Sequence, residues 1–216
     1  MTAELRYLRA PVPVHFPEAA EAPETKQHFR LRTLLYEFLA LAFADKATIG
    51  CDQFVYWNPT DPRECLAPDA FVRLGEADHL FRSWKVWERG APQLAIEVIS
   101  EADERDRDWD AKLARYRRLG VLELVRFDPA APTLEGMLRL WSSVEDDLVE
   151  RDLKSATTAS RVLPGFWRII QDPALGPTLR LCHDELGAQL YPLPSERSEA
   201  RIRELEAALN DAQHRR

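Results

Sequence analysis

The sequence predicts a mixed α/β fold: a mixed sheet flanked by helices, followed by a C-terminal helix. Three observations carry that prediction. An amphipathic helix begins after Thr25, a strand, a helix and a second strand follow one another from Leu94 to Phe127, and paired strand-like runs stand on either side of that unit. A chain of 216 residues with 45% hydrophobic content supports one sizeable domain and gives no sign of two.

Residues 1–24 are proline-rich and lack a periodic apolar pattern, so they read as an irregular segment ahead of the domain. Thr25 can cap the first helix, which runs to about Ala44 with Leu31, Leu34, Leu35, Phe38, Leu39 and Ala42 on one stripe. His28 and Glu37 sit among these turns. A lone His or Glu on such a helix is usually structural or solvated, and His28 is kept as a supporting site residue. Ala47–Trp57 and Leu66–Leu74 read as strands around the turn residues Asn58–Arg63, a hairpin from whose second strand Asp69 projects.

Glu76–Gly90 interleaves Phe81, Trp84 and Trp87 with Arg82, Lys85 and Arg89. Such alternation can stack bases and hold phosphates, which makes Arg82, Trp84, Lys85 and Trp87 candidate nucleic-acid contacts. The same tryptophans can instead close on the sheet as a hydrophobic lid, or meet a second copy of the chain.

Leu94–Ser100 is an apolar strand with one full charge, Glu97, at its centre. A carboxylate in that position needs a cation, a metal or a proton. After a charged turn, a helix starting at Asp106 or Asp108 runs to Leu119 and stops at Gly120. Trp109, Leu113, Tyr116 and Leu119 share one arc of it, and Lys112 falls inside that arc, where a structural helix would carry Leu or Met. Its stem can snorkel to water, or Asp108 one turn earlier can pair with it.

Val121–Phe127 is the next strand, and Leu134–Trp141 with Asp147–Leu153 reads as a hairpin extending the sheet. VLPGFWRII and TLRLCHD read as short strands or edge pieces. The domain closes near residue 191, and Ser195 can cap a final helix to about Gln213 within the segment 192–216. Ile202, Leu205 and Leu209 follow a heptad seam there, over fewer than three heptads, that can dimerise or simply dock.

The net charge of −7 disfavours indiscriminate coating of nucleic acid, although it leaves room for a local basic cleft. Cys51, Cys65 and Cys182 are odd in number, widely spaced and without a CxxC pair, which argues against a disulfide framework and a zinc knuckle. No apolar run is long enough for a membrane span and no leader pattern opens the chain, so the expected location is the cytoplasm.

If the strands flanking the second helix are parallel neighbours, Asp69 and Glu97 meet across adjacent strands. Two converging carboxylates suit a hard cation such as Mg²⁺, and a nearby lysine can orient the attacking water or stabilise phosphorane charge. The segments PDAFV (Pro68–Val72), PQLAIEVIS (Pro92–Ser100), DWDAKLARYRRLGV (Asp108–Val121) and ELVRFDP (Glu123–Pro129), taken in order, resemble the Uma-type restriction endonuclease family. That family is also called domain of unknown function 820, within the PD-(D/E)XK nuclease superfamily. The resemblance spans roughly Thr25 to Leu153. It implies a restriction-endonuclease-like core, here a nuclease-like domain over 25–191, and Mg²⁺- or Mn²⁺-dependent hydrolysis of DNA phosphodiester bonds.

By the same resemblance the family's catalytic aspartate falls on Asp69, its glutamate on Glu97 and its lysine on Lys112, with the metal held by Asp69 and Glu97. The superfamily's lysine two residues after the glutamate is replaced by Ile99, and the Uma-type family likewise carries its lysine on the following helix. The aspartate ahead of that lysine matches Asp108. The tryptophan that follows Glu-Tyr in the family is absent from Glu123-Leu124-Val125.

Three readings follow. The first is a Mg²⁺-dependent endonuclease acting on DNA as a homodimer. The second keeps the fold but cleaves nothing, serving as a nuclease-like binding or regulatory module. The third makes Glu97 and Lys112 a structural ion pair, an arrangement that stabilises poorly compared with apolar replacements.

Overall fold

The computed structural model describes residues 15–16, 24–100, 109–153 and 156–214. The irregular segment expected over 1–24 therefore lies outside the described residues except at His15, Phe16 and Glu24, and Asp108 lies outside them as well. Phe16 packs edge-on against Tyr56, with ring centroids 4.9 Å apart.

Helix α1 spans Lys26–Phe43 and is capped as expected, the Thr25 side chain accepting the His28 N–H at 3.2 Å. Its buried face is Leu31, Leu34, Leu35, Phe38, Leu39 and Phe43. The expected strand Ala47–Trp57 is two pieces, β1 (Ala47–Gly50) and β2 (Val55–Tyr56). Between them Asp52 adopts φ 67°, a left-handed conformation that turns the chain out of the first sheet. Its partner divides in the same way, around Pro68, into β3 (Cys65–Leu66) and β4 (Ala70–Leu74). The expected hairpin survives as two antiparallel pairs, β1 with β4 and β2 with β3.

Strand β5 (Trp84–Lys85) pairs parallel with β2 and leads into the single turn α2 (Val86–Arg89). Then come β6 (Leu94–Val98), α3 (Trp109–Leu119) and β7 (Glu123–Phe127), with β6 and β7 parallel neighbours. Gly120 at φ 86° ends α3, as a C-terminal glycine should. The next expected strand starts late because Thr133 caps a helical turn, α4 (Leu134–Met137), before β8 (Leu138–Val144) and β9 (Asp147–Glu150) form the hairpin.

These strands make a six-stranded mixed sheet in the order β1-β4-β6-β7-β8-β9, and β3-β2-β5 is a small separate sheet. The weak C-terminal signals resolve into a third, antiparallel sheet of β10 (Thr157–Ala159), β11 (Phe166–Asp172) and β12 (Gly176–Cys182). Helix α5 (Pro194–His214) follows.

Side-chain alternation along β6 sorts the core into two layers. Leu94, Ile96 and Val98 join α1, Trp167, Leu179 and Leu181 on one face, while Ala95 joins Tyr116, Leu119, Phe71 and Trp84 on the other. Glu123 ties the outer sheet to the main one. It is fully buried at the start of β7, and its carboxylate accepts from Ser160 Oγ (2.6 Å), the N–H groups of Arg161 and Val162, and Trp167 Nε1. The root of α5 is fixed by Arg180, 2% exposed, whose guanidinium donates twice to Glu196 (3.0 and 2.8 Å) and once to the Tyr191 carbonyl.

Candidate active site

By the alternation of β6, Glu97 belongs on the α3 face, and α3 meets it with two side chains one turn apart. Lys112 Nζ donates to Glu97 Oε2 at 2.8 Å, and the Tyr116 hydroxyl donates to Oε1. The spacing i, i+4 stacks these two groups on one side of the helix. Lys112 therefore points where its position on the arc predicted. The tyrosine, read from the sequence only as part of the apolar arc, supplies the second donor.

Asp69 stands one residue ahead of β4. Because Ala70 pairs with Ile96 across an antiparallel ladder, the next step of that register sets Asp69 opposite Glu97. Its Oδ2 accepts the Val98 N–H at 2.7 Å, extending the ladder with a side chain. Its Oδ1 lies 3.2 Å from Nε2 of His28, and the same nitrogen is 2.9 Å from the Val98 carbonyl oxygen. Nδ1 of His28 faces the Glu24 carboxylate at 2.8 Å. Arg32 holds Glu24 from the other side with two hydrogen bonds and reaches Asp52 at 3.2 Å.

Both ring nitrogens of His28 face only acceptors, so the ring carries both protons. Burial works against that charge, but Asp69, Glu24 and the Val98 carbonyl outweigh it and raise the pKa to about 9. Burial also pushes the Glu97 carboxyl above its ordinary range, with Lys112 opposing and the Asp69 charge adding to the rise. The Tyr116 hydroxyl is buried beside the carboxylate and is held far above its usual pKa, so it stays a donor.

A cleft of about 220 Å³ opens beside this cluster, lined by Thr25, Gln27, His28, Ile99, Ser100 and Asp128 among others. Of the site residues it touches His28, and Asp69, Glu97 and Lys112 do not line it. The start of α1 and the carboxyl ends of the parallel pair β6 and β7, the two central strands of the sheet, thus meet here.

Three of the expected site residues, Asp69, Glu97 and Lys112, are brought together here, and His28 joins them as a direct partner of Asp69. The four expected nucleic-acid contacts do not share one environment. Trp84 is fully buried, its Nε1 donating to the Gly90 carbonyl at 2.8 Å and its ring packed against Phe71 and Phe81. That ring is a core element, as the hydrophobic-lid reading had it, which removes Trp84 from the candidate base-stacking contacts. Trp87 is 40% exposed, Arg82 is exposed and Lys85 is half-buried beside Glu88.

A model of the Uma2 family, described as "Putative restriction endonuclease", matches residues 18–175. No curated protein matches the chain significantly. Among solved structures, it is similar to a crystal structure described as a putative nuclease belonging to DUF820 from Anabaena variabilis ATCC 29413. Identity is 13%, over 71% of this chain and 75% of that one, with a TM-score of 0.41.

Proposed function

The chain belongs to the Uma2 family of restriction-endonuclease-like proteins, and on that premise we propose that it is a metal-dependent endonuclease hydrolysing the phosphodiester bonds of DNA. The observation that carries the reading is the meeting of Asp69, Glu97 and Lys112, from three separate segments, beside a central strand of the sheet.

The donor set fits a small hard cation. Among the described residues no three His, Cys, Asp or Glu side chains form a metal-binding group by themselves. Mg²⁺ does not need one, since it is usually held by one or two carboxylates and completes its shell with water and substrate oxygens. Asp69 and Glu97 would hold it, and Mn²⁺ has the same preference for oxygen. A bound cation would polarise the phosphate and lower the cost of generating the nucleophile. Lys112 supplies a positive charge fixed 2.8 Å from Glu97, which can stabilise the charge building on the phosphate oxygens. Tyr116 locks the rotation of Glu97 by holding its other oxygen. His28 fixes Asp69 and offsets the charge of the acidic edge.

The test is cleavage of single- and double-stranded DNA with Mg²⁺, with Mn²⁺ and with chelator, using the wild type, Asp69→Asn, Glu97→Gln and Lys112→Met. Metal-dependent cleavage should fall by about 10²- to 10³-fold in each variant. Wild-type rates in all three would overturn the reading.

One observation favours a second reading, a nuclease-like binding or regulatory module that cleaves nothing. Every carboxylate oxygen of Asp69 and Glu97 already has a partner within the protein, so the site is internally balanced. Calorimetry finding no Mg²⁺ or Mn²⁺ binding, with intact DNA and RNA after incubation, would decide for it. Under either reading the expected partners are nucleic acid, DNA first, and a second copy of the chain, in the cytoplasm. Among the described residues no helix is long and apolar enough to cross a membrane.

A further inference from the structure

Helix α5 has a fixed root and an uncovered shaft. Arg180 and Glu196 clamp its first turn, yet every residue from 201 to 214 is exposed. That shaft is about 21 Å long at 1.5 Å per residue. A solvated helix of this length is marginal in water, because helices shorter than about 12–15 residues rarely persist without tertiary contacts. Ile202, Leu205 and Leu209 are 55%, 53% and 58% exposed and recur at the spacing 3 then 4, along one stripe. The alternation is that of a coiled-coil seam.

We propose that α5 pairs with α5 of a second copy as a parallel two-stranded coiled coil. Ile202 and Leu209 take the a positions of the heptad, and Leu205 and Ala212 the d positions. In the first heptad the β-branched Ile202 at a with Leu205 at d favours two parallel strands. The flanking charges choose the same partner and direction. Arg201 falls at g and Glu206 at the following e, so parallel pairing sets Arg201 of each copy beside Glu206 of the other. Antiparallel pairing sets e against e and opposes Glu199 with Glu206. The shaft is thus complementary to itself in one orientation. This assembly is independent of the nuclease reading, because mass alone reports it.

The experiment is sedimentation velocity of the full chain over a concentration series, with Leu205→Glu/Leu209→Glu, Arg201→Glu, Glu206→Arg and the double charge swap. The wild type should shift with concentration toward twice 24.8 kDa. The paired leucine replacement should remain monomeric while its domain still unfolds in a cooperative thermal transition. Each single charge reversal should weaken association about threefold or more, and the double swap should restore it. A wild type that stays monomeric at every concentration overturns the proposal, as does a dimer indifferent to the leucine replacements. A dimer that the double swap fails to restore overturns the parallel register to which the proposal commits.

Discussion

His28 and Asp69 form an ion pair, Nε2 to Oδ1 at 3.2 Å, although they come from a helix and from the approach to a strand on the far side of a hairpin. The folded chain holds the imidazolium proton to about pH 9, whereas an unfolded histidine releases it near 6.5. The stabilisation is therefore complete below 6.5 and is lost as pH rises through 9. Urea unfolding in chelator should show stability falling across this window by up to about 1.4 kcal/mol per pH unit, the limit for one proton. His28→Asn should flatten the slope. Equal slopes in the two proteins would refute the pairing.

Lys112 and Glu97 should be strongly coupled. Lys112→Met leaves a buried carboxylate without its cation, and Glu97→Leu takes away the carboxylate to which the ammonium donates. Each single replacement should cost about 3 kcal/mol, while the double replacement should recover most of that and remain inactive. Tyr116→Phe keeps the ring and removes the hydroxyl, so it should lower the cleavage rate about tenfold at unchanged substrate affinity. Additive unfolding energies in the cycle would argue against the contact.

Glu123 should matter for stability and not for chemistry. Its removal strands a hydroxyl, two backbone N–H groups and an indole N–H in the interior. Glu123→Ala should destabilise the protein by about 3–5 kcal/mol, and Glu123→Gln by less because an acceptor remains. Chemical unfolding measures both. A loss below about 1 kcal/mol in the alanine variant would contradict the role of this carboxylate as the tie between sheets.

The two tryptophans of Glu76–Gly90 should separate cleanly. Trp84→Ala opens a cavity in the core and should cost about 3–5 kcal/mol. Trp87→Ala should leave the unfolding midpoint nearly unchanged and weaken DNA binding by about 1–3 kcal/mol, the worth of one stacked base. Fluorescence anisotropy with a labelled oligonucleotide, alongside thermal unfolding, distinguishes them.

What was legible in the sequence was what local periodicity encodes. The α1 stripe, the capping by Thr25, the stop at Gly120 and the place of Lys112 on the inner arc of α3 all follow from spacing within a few turns. The pairing of Lys112 with Glu97 was readable because a buried charge demands a partner and few cations lie on inward-facing arcs. The hydroxyl of Tyr116 was harder, since a tyrosine among apolar residues looks like packing until its neighbour is known. His28 was understated for a similar reason, its partners being distant in the chain. The breaks at Asp52 and Pro68 were missed because two short strands on one line read as one, and left-handed backbone at an aspartate leaves little trace in a pattern. Trp84 closing on the core was one of two readings open from the sequence, because basic neighbours describe the segment's edges, not the direction of its rings.

Val98 also sets an order of assembly. Its N–H is taken by a side chain 29 residues away and its carbonyl by one 70 residues away, while Glu97 meets Lys112 and Tyr116 within 19 residues. Short loops close at smaller entropic cost, so the following helix reaches the glutamate more cheaply than α1 reaches Val98 across 70 residues. The acidic pair has its histidine in place only once that 70-residue closure is made. A nascent or partly unfolded chain therefore does not present it, and any capacity to cut nucleic acid is acquired with the native state.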